Sequence, residues 1–268
     1  MNKLLVGTAA LAAVALVNSS FAADLPAAPV YKAPVMAPVY SWTGCYVGGN
    51  VGGKWARTSG SADLPGATGP GGTSPASSFA LGDNSNAGTV IGGGQVGCNY
   101  QTGALVFGVE GDADWQRWST SRVTGAVVPA LFVPGDVFDV SSRWQASVRG
   151  RVGYAWDKVL LYATGGVAFT DVQVGSNFIP FGIFPGTLAT DRQALVGATA
   201  GAGLEYALGN NLSLGIEGRY TWYGTHTFNA GQVATFGGPG GPFTFAAATQ
   251  TIRLNTAEVL AKLNWKIW

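Results

Sequence analysis

The residues of this 268-residue chain that are able to do chemistry stand at alternate positions in a few short stretches. Glu110, Asp112 and Asp114 make an acidic row, Arg149 and Arg151 a basic one, and Glu217/Arg219 and Glu258/Lys262 mix the two signs. An even spacing puts side chains on one face of a β-strand, because successive residues alternate sides. Brought together, such rows either line an ion-selective pore, work a proton-linked gate, or neutralise one another as a salt-bridge plug. A carboxylate pair such as Asp112 and Asp114 also permits acid–base catalysis. The chain has one histidine, His226, and no Ser–His–acid set or metal-ligand cluster can be built from it, so neither enzyme activity, metal nor cofactor is expected. His226 with Tyr220 and Tyr223 has the residue types of a haem-iron ligand set; a solvated loop histidine is the plainer reading. The run Gly92–Gly97 has the GxGxxG spacing of a nucleotide loop but lies inside a strand with no helix after it, so its glycines relieve crowding instead.

The elements that carry these residues repeat with period two. In Arg143–Trp156 one face reads Trp144, Ala146, Val148, Gly150, Val152 and Tyr154; the other reads Arg143, Gln145, Ser147, Arg149, Arg151 and Gly153. The two-residue turn Asp157-Lys158 leads to a second strand, Val159–Thr170. Similar strands are predicted at Ser41–Trp55, Thr89–Tyr100, Ala104–Trp118, Ala194–Leu208, Leu212–Tyr223 and from Thr251 to the end. Their connections alternate long and short, with Gln101–Gly103 and Gly209–Asn211 as the other tight turns. Outer-membrane barrels have even strand numbers, short periplasmic turns and long outer loops. The expected fold is therefore all-β: an eight-stranded antiparallel up-and-down transmembrane barrel at residues 41–268 with four long extracellular loops. All nine Trp lie near predicted strand ends, as interfacial girdles require, and all four Glu fall on polar faces.

Cys45 and Cys98, the only cysteines, sit on apolar faces of the first two strands at about the same height. Either they form a cross-strand disulfide in an oxidising compartment, or they are two small lipid-facing residues. Residues 1–22 read as a cleavable secretory signal: Lys3, an apolar run from Leu4 to Val17, then Ser20-Phe21-Ala22. Residues 23–40, with Pro26, Pro29, Pro34 and Pro38, read as a periplasmic linker. The 15 basic and 14 acidic residues nearly balance, and the basic ones are scattered without a stripe, so nucleic acid is not an expected partner. The apolar segment Phe178–Phe184 is unusual for a loop, and packs on itself, on a partner or over the barrel mouth.

Ala23-Asp-Leu-Pro26, Ser41-Trp-Thr-Gly-Cys-Tyr-Val-Gly-Gly-Asn-Val-Gly52, Val106-Phe-Gly-Val-Glu-Gly-Asp112, Val148-Arg-Gly-Arg-Val-Gly-Tyr-Ala155, Leu161–Ala168 and Gly215-Ile-Glu-Gly-Arg-Tyr220 span nearly all of the expected mature chain. In these stretches it resembles small alphaproteobacterial outer-membrane proteins of the porin-like, OmpA-type barrel class. The resemblance implies an eight-stranded barrel in the outer membrane, exposed loops, and an envelope or surface-antigen role; some members bind haem or adhere. Two positions depart from the family pattern: Cys45 stands where an aromatic is usual, and Trp268 follows Ile267 out of phase with the alternating C-terminal strand. The expected function is structural: envelope integrity and surface interaction, with a lumen plugged by charged side chains. The alternatives are a narrow porin for small solutes and a receptor for haem or a host ligand. The expected partners are outer-membrane lipids, the outer-membrane assembly machinery and an extracellular ligand reached by the loops.

Overall fold

Among the described residues, eight long strands of the computed structural model close into one antiparallel ring. They are β1 (Gly44–Leu64), β2 (Ala87–Thr102), β3 (Leu105–Val123), β4 (Val137–Trp156), β5 (Val159–Phe178), β6 (Thr187–Ala207), β7 (Leu212–Asn229) and β8 (Thr249–Lys266). Each pairs with its neighbour in the chain, and β8 returns to β1 from Tyr46↔Lys266 to Asp63↔Thr249. Closure pairs the backbone of every strand and leaves no edge in the spanning region, which lipid demands. The structure describes residues 40–69, 72–74, 76–80, 87–123, 135–178, 187–229, 235–238, 241–244 and 249–268. The expected leader, the linker up to residue 39 and the loop segment 179–184 lie outside them.

The strands are longer than the sequence predicts. A spanning strand needs about 10 residues, yet these have 16 to 21. The excess lies at the long-loop end: β1 continues to Leu64, β3 to Val123, and β4 begins at Val137. Those extensions are rich in Ser, Thr and Gly, so they carry no lipid-facing apolar row and read as loop; the ladder continues because its outer face meets water. Short strands at Ala67–Gly69, Gly72–Ser74, Ser77–Ala80, Thr235–Gly238 and Gly241–Thr244 also lie within stretches expected to be loop.

The alternation sorts side chains between two environments. Val47, Val51, Val96, Phe107, Val109, Val148, Val152, Leu161, Val167, Leu204, Ile216, Val259 and Leu263 point outward. Tyr100, Tyr154, Trp156, Tyr206 and Trp265 band the short-turn end of that surface, and Trp55, Trp115, Trp144, Phe169 and Trp222 band the other. Two tryptophans leave the girdles: Trp42 and Trp118 are buried inside the ring. Position near a strand end sets a residue's height; whether it faces in or out is set by parity, and Trp118 shares the inward parity of Asp112, Asp114 and Gln116.

One expected parity fails. Period-two alternation puts Arg143 in the inward row, but it is exposed, as is its neighbour Trp144. The β3–β4 register breaks between Trp115 and Trp118, and the β4–β5 register between Ser141 and Gln145. Asp171 on β5 fills the break: its Oδ1 accepts the backbone N–H of Arg143 (3.0 Å) and of Trp144 (3.1 Å). A bulge leaves two residues opposite one and turns Arg143 out. A second break on β7, between Trp222 and Gly224, coincides with the end of the β6–β7 ladder at Ala198↔Trp222.

At the C-terminus the strand ends at Lys266, and both Ile267 and Trp268 are exposed, Trp268 at 75%. The out-of-phase residue thus lies beyond the ladder, after the Ile267 N–H donates to the Cys45 carbonyl (2.8 Å).

Candidate functional site: a charged lumen between two apolar seals

The inward row of each strand meets its counterparts across a narrow interior. An eight-stranded barrel is just wide enough for side chains to fill. Arg149 on β4 is at the centre. Its Nη2 donates to Glu110 Oε1 (2.6 Å) and Asp112 Oδ1 (2.7 Å) on β3, and its Nη1 to Glu217 on β7. Lys262 on β8 spans the same two glutamates, 2.6 Å from Glu110 Oε1 and 3.1 Å from Glu217 Oε2. Arg219 bridges Asp112 (3.0 Å), Asp114 (3.1 Å) and Glu258 (2.8 Å). All nine residues of the predicted lumen cluster therefore stand in one buried network: Glu110, Asp112, Asp114, Arg149, Arg151, Glu217, Arg219, Glu258 and Lys262.

The network also recruits residues outside that predicted set. Arg151 reaches Glu205 Oε1 (2.6 Å) on β6 and the Tyr46 hydroxyl (2.7 Å), and its guanidinium lies 3.8 Å from the Tyr162 ring centroid. The Tyr46 hydroxyl donates to Glu110 Oε2 (2.6 Å), and that of Tyr162 to Glu217 Oε2 (2.7 Å). Lys54 sits 3.3 Å from Glu258 Oε1 and donates to Gln145. Asn50 donates to Asp114 Oδ1 (2.8 Å), Ser147 to Asp112 Oδ1 (2.6 Å), and Gln145 to both Asp114 and Glu258. Inward parity was the available signal for Lys54, Glu205, Tyr46 and Tyr162. Which inward residues share a height depends on the stagger of the closed ring.

Two glycines make the tyrosines fit. A Cβ on Gly97 would overlap the Tyr46 phenol, and one on Gly203 would overlap that of Tyr162. Each phenol passes over the bare backbone of the neighbouring strand, and its hydroxyl reaches the central carboxylates. Gly97, last residue of the GxGxxG run, therefore serves ring packing within β2.

Apolar layers close both ends. At the short-turn end Trp42, Val106, Ala155, Leu160, Tyr162 and Ala207 pack together with Tyr40. The segment before β1 is tied into this mouth. Trp42 N–H donates to Gln101 Oε1 (2.7 Å), its indole N–H to the Asp157 carbonyl (3.1 Å), and Tyr40 N–H to Asp157 Oδ1 (3.1 Å). At the opposite end Trp118, Val140, Val172, Val174 and Leu195 from β3–β6 meet Ala56, Tyr223, Phe228, Ile252 and Leu254 from β7, β8 and β1. The charged layer is thus enclosed from above and below.

The remaining predicted sites resolve differently. Cys45 and Cys98 face each other directly in the β1–β2 ladder and are joined by a disulfide on the outer face. The trio named for haem does not assemble. Tyr220 faces outward and pairs with Trp222 (4.7 Å between ring centroids), Tyr223 faces the lumen, and His226 Nε2 lies 2.7 Å from the Tyr223 carbonyl. Residues three apart on a strand point to opposite faces, so the two phenols cannot converge. Among the described residues no group of three or more His, Cys, Asp and Glu side chains is placed to hold a metal ion.

A closed ring with an apolar belt, two aromatic girdles and a filled polar interior is an outer-membrane β-barrel. The chain belongs to the family described as outer membrane protein beta-barrel domain, whose model matches residues 9–237. It is 31% identical over 213 residues to the 25 kDa outer-membrane immunogenic protein of Brucella abortus, covering 79% of this chain and 80% of that protein. It is 32% identical over 195 residues to the 22 kDa outer membrane protein of Rhizobium leguminosarum, covering 72% and 69%. Among solved structures it is similar to Neisserial surface protein A, with a TM-score of 0.32 and 12% identity over 82% of this chain and 97% of that one.

Proposed function

We propose that the protein is a non-conducting envelope barrel that anchors four long loops at the cell surface. The observation that carries this is Arg149, held by Glu110, Asp112 and Glu217 from opposite walls, with an apolar layer on either side of it. An ion crossing here must displace a side chain that makes three charge-assisted bonds, and must also pass two apolar layers. Recording from purified protein in planar bilayers tests it: no stable conductance steps are expected, and reproducible steps would overturn the closed reading.

No catalytic step is assigned. Asp112 and Asp114, the carboxylates suited to acid–base work, are both tied to Arg219. The partners we infer are outer-membrane lipids against the apolar belt, the assembly machinery, and an extracellular ligand at the loops. The names of the Brucella relatives, outer-membrane immunogenic proteins, support a surface-antigen role for those loops. Residues 1–22 are inferred to be a leader; a mature N-terminus other than Ala23, read by mass spectrometry, would count against that cleavage site.

A further inference from the structure

The two cysteines join strands whose register their own residues define poorly. β1 carries four glycines between Gly48 and Gly53, and β2 four between Gly92 and Gly97. Glycine-rich strands slip easily, because few side chains distinguish one rung from the next. The connection from Leu64 to Ala87 is long, so no tight turn sets the pairing either. A slip of one residue turns the apolar row inward, but a slip of two keeps every side chain on its face. It would move Tyr46 from opposite Gly97 to opposite Gln95 or Asn99. The phenol, which even a Cβ on Gly97 would overlap, then meets a whole side chain. β1 is also the strand that must accept β8 to close the ring, so an error here displaces the closing seam.

Only the native register sets Cys45 opposite Cys98. Their bond lies on the outer face, at the short-turn end. Cys98 stands two residues from Tyr100 of the girdle, on the side of the apolar belt. The neighbouring outward side chains are Val47 and Val96, two residues further along each strand, and Val109 across from Cys98, all exposed. In the inserted barrel the sulfurs therefore face hydrocarbon. Thiol–disulfide exchange needs a thiolate and access for the attacking partner, and an apolar surround withholds both.

We infer that the bond is made before the chain enters the membrane, by a water-soluble disulfide oxidant in the periplasm, and that it pins the register of the first hairpin for ring closure. One cysteine thiolate attacks the oxidant's disulfide and forms a mixed disulfide, releasing one oxidant thiolate. The thiolate of the second cysteine then attacks the Sγ of the first and releases the other. The two thiols of the chain lose two protons and two electrons, and the oxidant's disulfide leaves as two thiols. The inference rests on the outer-membrane placement and not on whether the lumen conducts.

The test uses the full chain, unfolded in urea and folded into phosphatidylcholine vesicles, with oxidised glutathione as the oxidant. Bond formation is read by intact mass after alkylation, and folding by the heat-modified gel shift. Oxidised glutathione should close the bond in urea, and should leave both thiols free in a barrel inserted in the reduced state. The oxidised chain should fold about tenfold faster than the reduced chain or Cys45→Ser/Cys98→Ser, because a search over 53 residues is already closed. Unfolding rates in urea should agree within about twofold, which separates a register pin from a staple that only stabilises the folded barrel. Adding Val47→Cys/Val96→Cys to the double serine chain offers a bond in the native register and should restore the fast rate. In Cys98→Ser/Val96→Cys the bond from Cys45 fixes the two-residue slip. This chain should fold only after reduction, so the reduced form shows that the substitutions themselves permit folding. Three results would each overturn the proposal: oxidation of the inserted thiols as fast as in urea, equal folding rates for the oxidised and reduced chains, or folding of the oxidised slipped variant as readily as the wild type.

Discussion

Replacing Arg149 by methionine tests the lumen most directly. Methionine is apolar and unbranched, so it leaves the backbone and much of the stem packing in place while deleting the guanidinium. The network's five cations (Lys54, Arg149, Arg151, Arg219, Lys262) then become four, against its six carboxylates (Glu110, Asp112, Asp114, Glu205, Glu217, Glu258). Lys262 still reaches Glu110 and Glu217, and Arg219 still reaches Asp112, so no acid is wholly abandoned. Removing one partner from a buried ion pair typically costs about 3–5 kcal/mol, because the charge left behind stays out of water with less to compensate it. With a urea dependence of about 2 kcal/mol per molar, that lowers the unfolding midpoint in detergent micelles by about 2 M. The midpoint is read from tryptophan fluorescence and checked by the heat-modified gel shift. Adding Glu217→Gln removes one of the acids left with less compensation and should restore about half of the loss, since the two sites are coupled. A midpoint within about 0.3 M of wild type for Arg149→Met alone would refute the network as a stabilising plug.

Three further outcomes follow from other parts of the structure. Trp42→Ala opens the short-turn seal and should lower stability by about 3–5 kcal/mol in the same urea titration, as for other buried tryptophans. Reducing the Cys45–Cys98 bond, which closes a separation of 53 residues, should lower the melting temperature. The loss amounts to at most about 4 kcal/mol and leaves the folded gel band intact, because the β1–β2 and β1–β8 ladders persist. Asp171→Ala strands the two bulge amides of Arg143 and Trp144; a loss of about 1–3 kcal/mol is expected, and an unchanged midpoint would mean that water replaces the carboxylate.

Much of this protein is legible in its residues. Strand number, direction and the in–out sorting of Glu110, Asp112, Asp114, Arg149, Arg151, Glu217, Arg219, Glu258 and Lys262 follow from period-two alternation alone, since a strand has only two faces. Cys45 and Cys98 could be brought level because each stands near the short-turn end of one of two neighbouring antiparallel strands. Other features depended on closure. Parity says that Lys54 and Glu205 point inward, but not that Lys54 meets Glu258 or Glu205 meets Arg151; those heights are set by strand tilt and stagger around the ring. Trp42 and Trp118 carry the same amphipathic side chain as the girdle tryptophans and became seals because parity on β3 turned Trp118 inward and the bonds to Gln101 and Asp157 hold Trp42, ahead of β1, in the mouth. Arg143 lost its predicted face to a single extra residue that Asp171 stabilises from the next strand. The outward arginines are the furthest case: Arg57, Arg117, Arg143, Arg192 and Arg253, consecutive ones 26 to 61 positions apart in the chain, share the outer surface of the long-loop half only after eight strands have closed. Local alternation determined which side of the wall each residue occupies, and the closed ring decided which residues meet.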